Sequence, residues 1–333
     1  MAFKVVITRV VDFPYWDELI AGIGAEFVRE HCPTDDEVIA AARDADALIN
    51  VVGPCSRKVI DNLPRLRLIV QMGIGYDTVD VDTATEAGVI VCNNPDYCVE
   101  EVSDHAMALL LACVRKITQL NNIVKQGRWQ EGRVVAVPKL KLRGQTLGLV
   151  GFGRIARALV PKARGFGLRI IAHDPYVSEA AGEEYDVEFV SLDSLLRESD
   201  YVSVHTPLTR ENQHMFTLES FKKMKPTAFF INTARGGLVD EHALYTAINE
   251  GFIAGAGLDV LETEPPEADN PLLRLDSVII TPHQAQASVT AAEQLMRRPM
   301  EDVVRVLEGH WPHGFVNPSV KEKYMRRFGP MVD

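Results

Sequence analysis

Apolar residues along the first hundred positions fall into short dense runs separated by stretches with helical spacing. KVVIT from Lys4, ALINVV from Ala47, LRLIV from Leu66 and VIV from Val89 are rich in β-branched and aliphatic residues and predict strands. Between them, Thr34 followed by Glu37 forms a capping-box signature at the head of the helical stretch DEVIAAARDA, and Gly88 stops the helical segment VDTATEA. Strand and helix therefore alternate, which predicts a parallel sheet with helices on both faces.

From Glu100 to about Lys125 the chain is rich in Ala and Leu with few breakers, and this predicts one long helix connecting two domains. A second alternating region follows, with QTLGLV, LRIIAHD, YVSVH, AFFIN, AGAGLDV and SVIIT as strands. After Ser288 a mostly helical stretch reaches Gly309, with a kink or restart expected at Pro299, and the tail WPHGFVNP reads as extended. The fold class is α/β, with two doubly wound parallel-sheet domains and a cleft between them. A chain of 333 residues supports this, since one core stops growing at about 250 to 300 residues.

Composition narrows the class. With 47% apolar and 24% charged residues the chain is globular, and no apolar run approaches the roughly 18 residues of a membrane span. The N-terminus MAFKVVITRV reads as a first strand with no export signal, so the mature protein is expected to begin near Met1. Five cysteines, with no CxxC pair, point to a reducing, cytoplasmic compartment. A net charge of −11 argues against a nucleic-acid surface, which depends on Lys and Arg neutralising phosphates. His310 and His313 have no Cys or acid partner at ligand spacing, and no metal is assigned.

The segment LGLVGFGRIARAL carries a GxGxxA pattern directly between a strand and a helix. Gly151 permits the tight turn, Gly153 lets backbone approach a pyrophosphate, and Ala156 packs helix on strand, leaving the helix-start amides of Arg154 and Ile155 for the phosphates. The next strand ends in Asp174, placed for the adenosine ribose hydroxyls. Its charge would repel a 2′-phosphate, and Pro175, Tyr176, Val177 and Ser178 supply no cation for one, so NAD is favoured over NADP.

Three strand-end loops then carry reactive side chains. Arg235 lies in NTARGGLVDE, Asp259 and Glu264 lie in GLDVLETEPP, and His283 closes SVIITPH. Reducing a ketone requires a proton for the developing alkoxide, which a histidine supplies near neutral pH. A carboxylate beside it favours the imidazolium, and an arginine fork suits a carboxylate substrate. Singly, each has an ordinary reading as a strand-end His, a solvated loop acid or a surface Arg.

The blocks QMGIGYDTVD, VGFGRIA, NTARGGLVDE, GLDVLETEPP and TPH, in this order and spacing, resemble the D-isomer-specific 2-hydroxyacid dehydrogenase family over essentially the whole chain. The resemblance implies a flavodoxin-like substrate domain split between residues 1–100 and 291–333, around a Rossmann NAD domain at residues 101–290 that builds a homodimer. It implies the catalytic set Arg235, Glu264 and His283, with the backbone of Gly73, Ile74 and Gly75 binding the carboxylate of a small anionic substrate. Asp259 and the backbone around Thr233 and Ala234 would hold the nicotinamide carboxamide, and His205, Thr206 and Pro207 would flank the cofactor.

The implied activity is NAD-dependent interconversion of a small 2-keto acid and its D-2-hydroxy acid. Glu264, where formate dehydrogenases of the family carry Gln, argues against formate. After His283 the chain reads QAQAS where the family usually continues with glycines, which is similar to the branch containing the C-terminal-binding-protein corepressors. Gln286 is then a candidate pocket residue, although a plain residue on the approach to the next helix is the preferred reading, and an NADH-sensing scaffold is the rival to the enzyme. An enzyme acting on another oxyanion, such as phosphite, shares the same catalytic set.

Overall fold

The computed structural model describes residues 2–11, 13–135, 141–178 and 180–332. By internal contacts the chain divides into two compact units, Met1–Tyr97 with Ser288–Asp333, and Cys98–Ala287. The first unit holds five parallel strands, β1 (Lys4–Ile7), β2 (Glu26–Arg29), β3 (Ala47–Asn50), β4 (Leu68–Gln71) and β5 (Ile90–Cys92). Their order β2-β1-β3-β4-β5 is the flavodoxin-like one. Successive strand residues point to opposite faces, so Val5 and Ile7 enter one core with Ile49, Val70, Trp16 and Met300. Val6 enters the other with Leu48, Ile69, Val38 and Val59. Burial on both faces is why these strands read as nearly continuous apolar runs.

The second unit holds β6 (Thr146–Val150), β7 (Arg169–His173), β8 (Glu188–Phe189), β9 (Tyr201–Val204), β10 (Phe229–Asn232), β11 (Gly255–Leu258) and β12 (Val278–Ile280). All pair in parallel in the order β12-β11-β10-β9-β6-β7-β8, the Rossmann arrangement. Chain direction across the sheet reverses between β6 and β9, and at that switch point the loops beyond the strand ends can receive a ligand. Phe216, Phe221 and Phe230 pack edge-on or stacked beneath one face. Helix Val99–Arg115 covers the other face, with a side chain at Gly257 in β11 excluded by Leu109, Ile231 and Cys113 at 3.0–3.2 Å.

The capping box at Thr34 and Glu37 forms as expected. Two expectations need correction, and one element was not expected. The segment 100–125 is two helices, Val99–Arg115 and Ile117–Lys125, broken where Lys116 adopts φ +52; buried residues end at Val114, so nothing holds the first helix straight beyond it. Pro299 sits inside the continuous helix Val289–Leu307, because burial and the Trp16 indole, donating to the Met296 carbonyl in that turn, offset the lost amide bond. After the tail WPHGFVNP a further helix, Lys321–Phe328, appears, with Tyr324 as its buried residue. No helix among the described residues is long and apolar enough to cross a membrane.

Candidate active site

Gly151 follows β6 with φ +89, and a Cβ there would stand 2.8 Å from His205 C and Thr206 N. Both the backbone conformation and the space demand glycine, since the turn passes directly against the loop after β9. A Cβ on Gly153 would meet nothing within 4 Å, so this face of the loop opens on free space. Helix Arg154–Gly165 begins there with no side-chain cap and no acid in its first turn, while Ala156 is fully buried beneath it. Amides at such a helix start are orphan donors that suit an anion.

The Asp174 carboxylate accepts from Phe152 N at 2.8 Å and from Tyr176 N at 2.9 Å, which ties the acid to the glycine turn. His205 donates its amide to Val150 O at 2.7 Å, and its Nε2 lies 2.9 Å from Ser203 Oγ. Burial pushes its imidazole down to about 4, so the ring beside the turn is neutral at physiological pH. The residues present fit a dinucleotide, with open backbone at Gly153, donors at Arg154 and Ile155, and a fixed carboxylate.

Arg235, Glu264 and His283 stand on loops after β10, β11 and β12, three adjacent strands, and so share one sheet edge. His283 Nδ1 lies 2.7 Å from Glu264 Oε2, while Glu264 Oε1 accepts from Leu261 N at 3.0 Å. A carboxylate only accepts, so Nδ1 carries hydrogen and Nε2 is the nitrogen left for proton transfer. The hydrogen bond to Glu264 raises the His283 pKa; burial and the Arg235 charge oppose it, and the charges of Glu264 and Asp259 add to it. For Glu264, burial works upward, yet the His283 hydrogen bond, the Leu261 amide and the charges of His283 and Arg235 bring its pKa below the usual carboxylate range.

The Arg235 loop is shaped by Asn232 at the end of β10, whose Oδ1 accepts from Ala234 N at 3.0 Å and whose Nδ2 donates to Arg235 O at 2.9 Å. Arg235 Nη1 donates to Ala234 O at 2.7 Å. Thr233 Oγ1 is buried with no hydrogen-bond partner, a polar atom left for something outside the chain. Asp259 is 1% exposed, and its carboxylate accepts from Thr281 Oγ1, Gln284 N and Ala285 N.

Sequence reading missed Asn232, Thr281 and His105, whose Nε2 lies 2.9 Å from Thr281 Oγ1. Polar residues at buried strand ends were the available signal for the first two. Gly73, Ile74 and Gly75 lie in the first unit after β4, where Asn93 Nδ2 donates to Ile74 O at 2.6 Å and Asn94 N to Gly73 O at 3.2 Å. Of the pair that drew attention as a metal site, His313 instead meets Asp302 at 2.7 Å.

Residues 107–285 match the family model for the NAD-binding domain of D-isomer-specific 2-hydroxyacid dehydrogenases. A glyoxylate reductase of Korarchaeum cryptofilum is 41% identical over 293 residues, which cover 86% of this chain and 87% of the relative. Among solved structures, a glyoxylate reductase from Paecilomyes thermophila superposes with a TM-score of 0.84 at 26% identity, covering 92% of this chain and 96% of that one. An NADPH-dependent glyoxylate/hydroxypyruvate reductase from Sinorhizobium meliloti, in complex with NADP and malonate, gives 0.80 at 32% identity, covering 93% of each chain.

Proposed function

Because this chain belongs to the D-isomer-specific 2-hydroxyacid dehydrogenase family and is an NAD-dependent oxidoreductase of 2-keto and D-2-hydroxy acids, we propose that it reduces a small 2-keto acid of the glyoxylate class. The observation that carries this reading is the 2.7 Å pair of His283 and Glu264 on the same sheet edge as the glycine loop. The similarity to glyoxylate reductases, and Glu264 in place of a glutamine, support a keto acid over formate.

NADH, when bound, would supply the hydride. His283, held in register through Nδ1 by Glu264, donates a proton from Nε2 to the carbonyl oxygen as it becomes an alkoxide, and in the oxidative direction takes the hydroxyl proton back. Arg235 and the amides of Gly73, Ile74 and Gly75 are assigned to the substrate carboxylate. Thr233, Ala234 and Asp259 are assigned to the nicotinamide end, and His205, Thr206 and Pro207 to the cofactor's flank. The Asp174 carboxylate, with no cation from Pro175 to Ser178, favours NAD over NADP.

The same reading takes the working molecule to be a cytoplasmic homodimer. Helices Ile117–Lys125 and Trp129–Val134 bury no residue, and expose Ile117, Val124, Trp129 and Val134. A second copy of the chain is the occupant that the family resemblance supplies for these apolar side chains. The scaffold reading is not favoured, since relatives matched over most of the chain are reductases.

Oxidation of NADH, followed by absorbance against 2-keto acids from glyoxylate and hydroxypyruvate to phenylpyruvate with NADPH in parallel, tests the reading. Turnover is expected on the smallest acids and preferentially with NADH. Silence across the panel from protein that binds NADH would reject a keto-acid substrate.

A further inference from the structure

Asp259 grips the His283 turn from both sides. Its backbone carbonyl accepts from His283 N at 2.8 Å, and its carboxylate holds the next two amides, Gln284 N at 2.9 Å and Ala285 N at 2.8 Å. The turn needs such a hold because His283 sits at φ +53, which side chains other than glycine visit uncommonly. The remaining donor to the carboxylate is Thr281 Oγ1, 2.5 Å from Oδ1. Behind it stands His105 of helix Val99–Arg115, with Nε2 2.9 Å from Thr281 Oγ1 and 3.6 Å from Asp259 Oδ1.

We propose that His105 is a positioning residue for catalysis, acting through Thr281 and Asp259 on the turn that presents His283. The hydrogen inventory fixes the direction of the chain. A hydroxyl has one hydrogen, and the carboxylate can only accept it, so Thr281 gives its hydrogen to Asp259 and takes one from His105. His105 therefore carries hydrogen on Nε2. Donation from His105 polarises the Thr281 hydroxyl and strengthens its bond to Asp259, whose oxygens in turn set where the Gln284 and Ala285 amides lie. Helix Val99–Arg115, packed across β10 and β11, thereby registers the acid–base group against the sheet although His105 does not touch it. Removing one hydrogen bond from such a chain is expected to change activity by about tenfold.

The inference rests on His283 being the acid–base group, and two measurements separate its failure from the failure of that reading. Nitrogen NMR of the full chain with labelled histidine, with His105 identified by the signals lost in His105→Gln, is expected to show hydrogen on Nε2 of His105. A ring with hydrogen on Nδ1 alone overturns the proposal whether or not any keto acid is turned over.

For turnover, His105→Phe is expected to lower kcat about tenfold while NADH affinity and keto-acid KM stay within about twofold. His105→Gln, whose amide can still donate, should recover most of that loss. In a Thr281→Val background, His105→Phe should cost nothing further. Equal losses in the Phe and Gln variants, full additivity with Thr281→Val, or wild-type kcat in folded His105→Phe would each overturn it. Should His105→Phe fail to fold, Thr281→Val decides alone: reduced kcat at unchanged NADH affinity supports the relay, and wild-type kcat rejects it.

Discussion

The His283 imidazole is governed by one neighbour above all. Its hydrogen bond to Glu264 raises its pKa against burial and the Arg235 charge, so the imidazolium persists above the ordinary histidine range. Reduction needs that proton, so kcat/KM for a keto acid should be level at low pH and fall as pH rises through the raised value. Oxidation should show the opposite limb. Glu264→Gln removes the charge that favours the imidazolium, and the falling limb is expected to move to lower pH with a lower plateau, by about tenfold or more. A pH profile unchanged by this substitution would contradict the assigned pair. At this scale the sequence was informative, because Arg235, Glu264 and His283 could be picked out as polar groups at predicted strand ends. The partners that orient them, Asn232, Thr281 and His105, act through hydrogen bonds between positions distant in the chain and leave no local pattern.

At the scale of elements, the placing of Arg235 beside Glu264 depends on how closely two loops pass. A Cβ on Gly236 would stand 2.0 Å from the carbonyl carbon and oxygen of Leu261 and 2.4 Å from Glu262 N, all of them backbone atoms. None can rotate away, so Gly236→Ala must push the Arg235 loop from the loop that carries Glu264. We expect kcat/KM to fall by about 100-fold and stability by about 1–3 kcal/mol, checked by kinetics alongside thermal unfolding. Strands buried on both faces were legible from their apolar runs, whereas β2 and β8 escaped notice because they are the outer strands of their sheets and bury little. Helix Lys321–Phe328 was missed for a similar reason, since Tyr324 is its one fully buried residue.

Across the whole molecule, the apolar face of the two helices beyond Lys116 is the feature that an isolated chain leaves unexplained. Trp129 is 61% and Val134 82% exposed. If a second copy covers them, the wild-type protein should sediment at twice the chain mass. Trp129→Asp combined with Val134→Asp should shift it to the chain mass with little loss of fold, since neither side chain packs in its own core. A double variant that stays dimeric would place the interface elsewhere.

Sequence alone determined the alternation of strand and helix, the glycine turn with Asp174 after the next strand, and the placing of a histidine, a carboxylate and an arginine at strand ends. These depend on local geometry: the period of burial along an element, the φ that Gly151 must adopt, and the chemistry of a histidine, a carboxylate and an arginine. Tertiary structure decided the rest. It fixed the strand orders that bring β10, β11 and β12 side by side, the close passage at Gly236, and the hydrogen bonds that place His283. Those depend on contacts between segments far apart in the chain, which propensity and spacing do not encode.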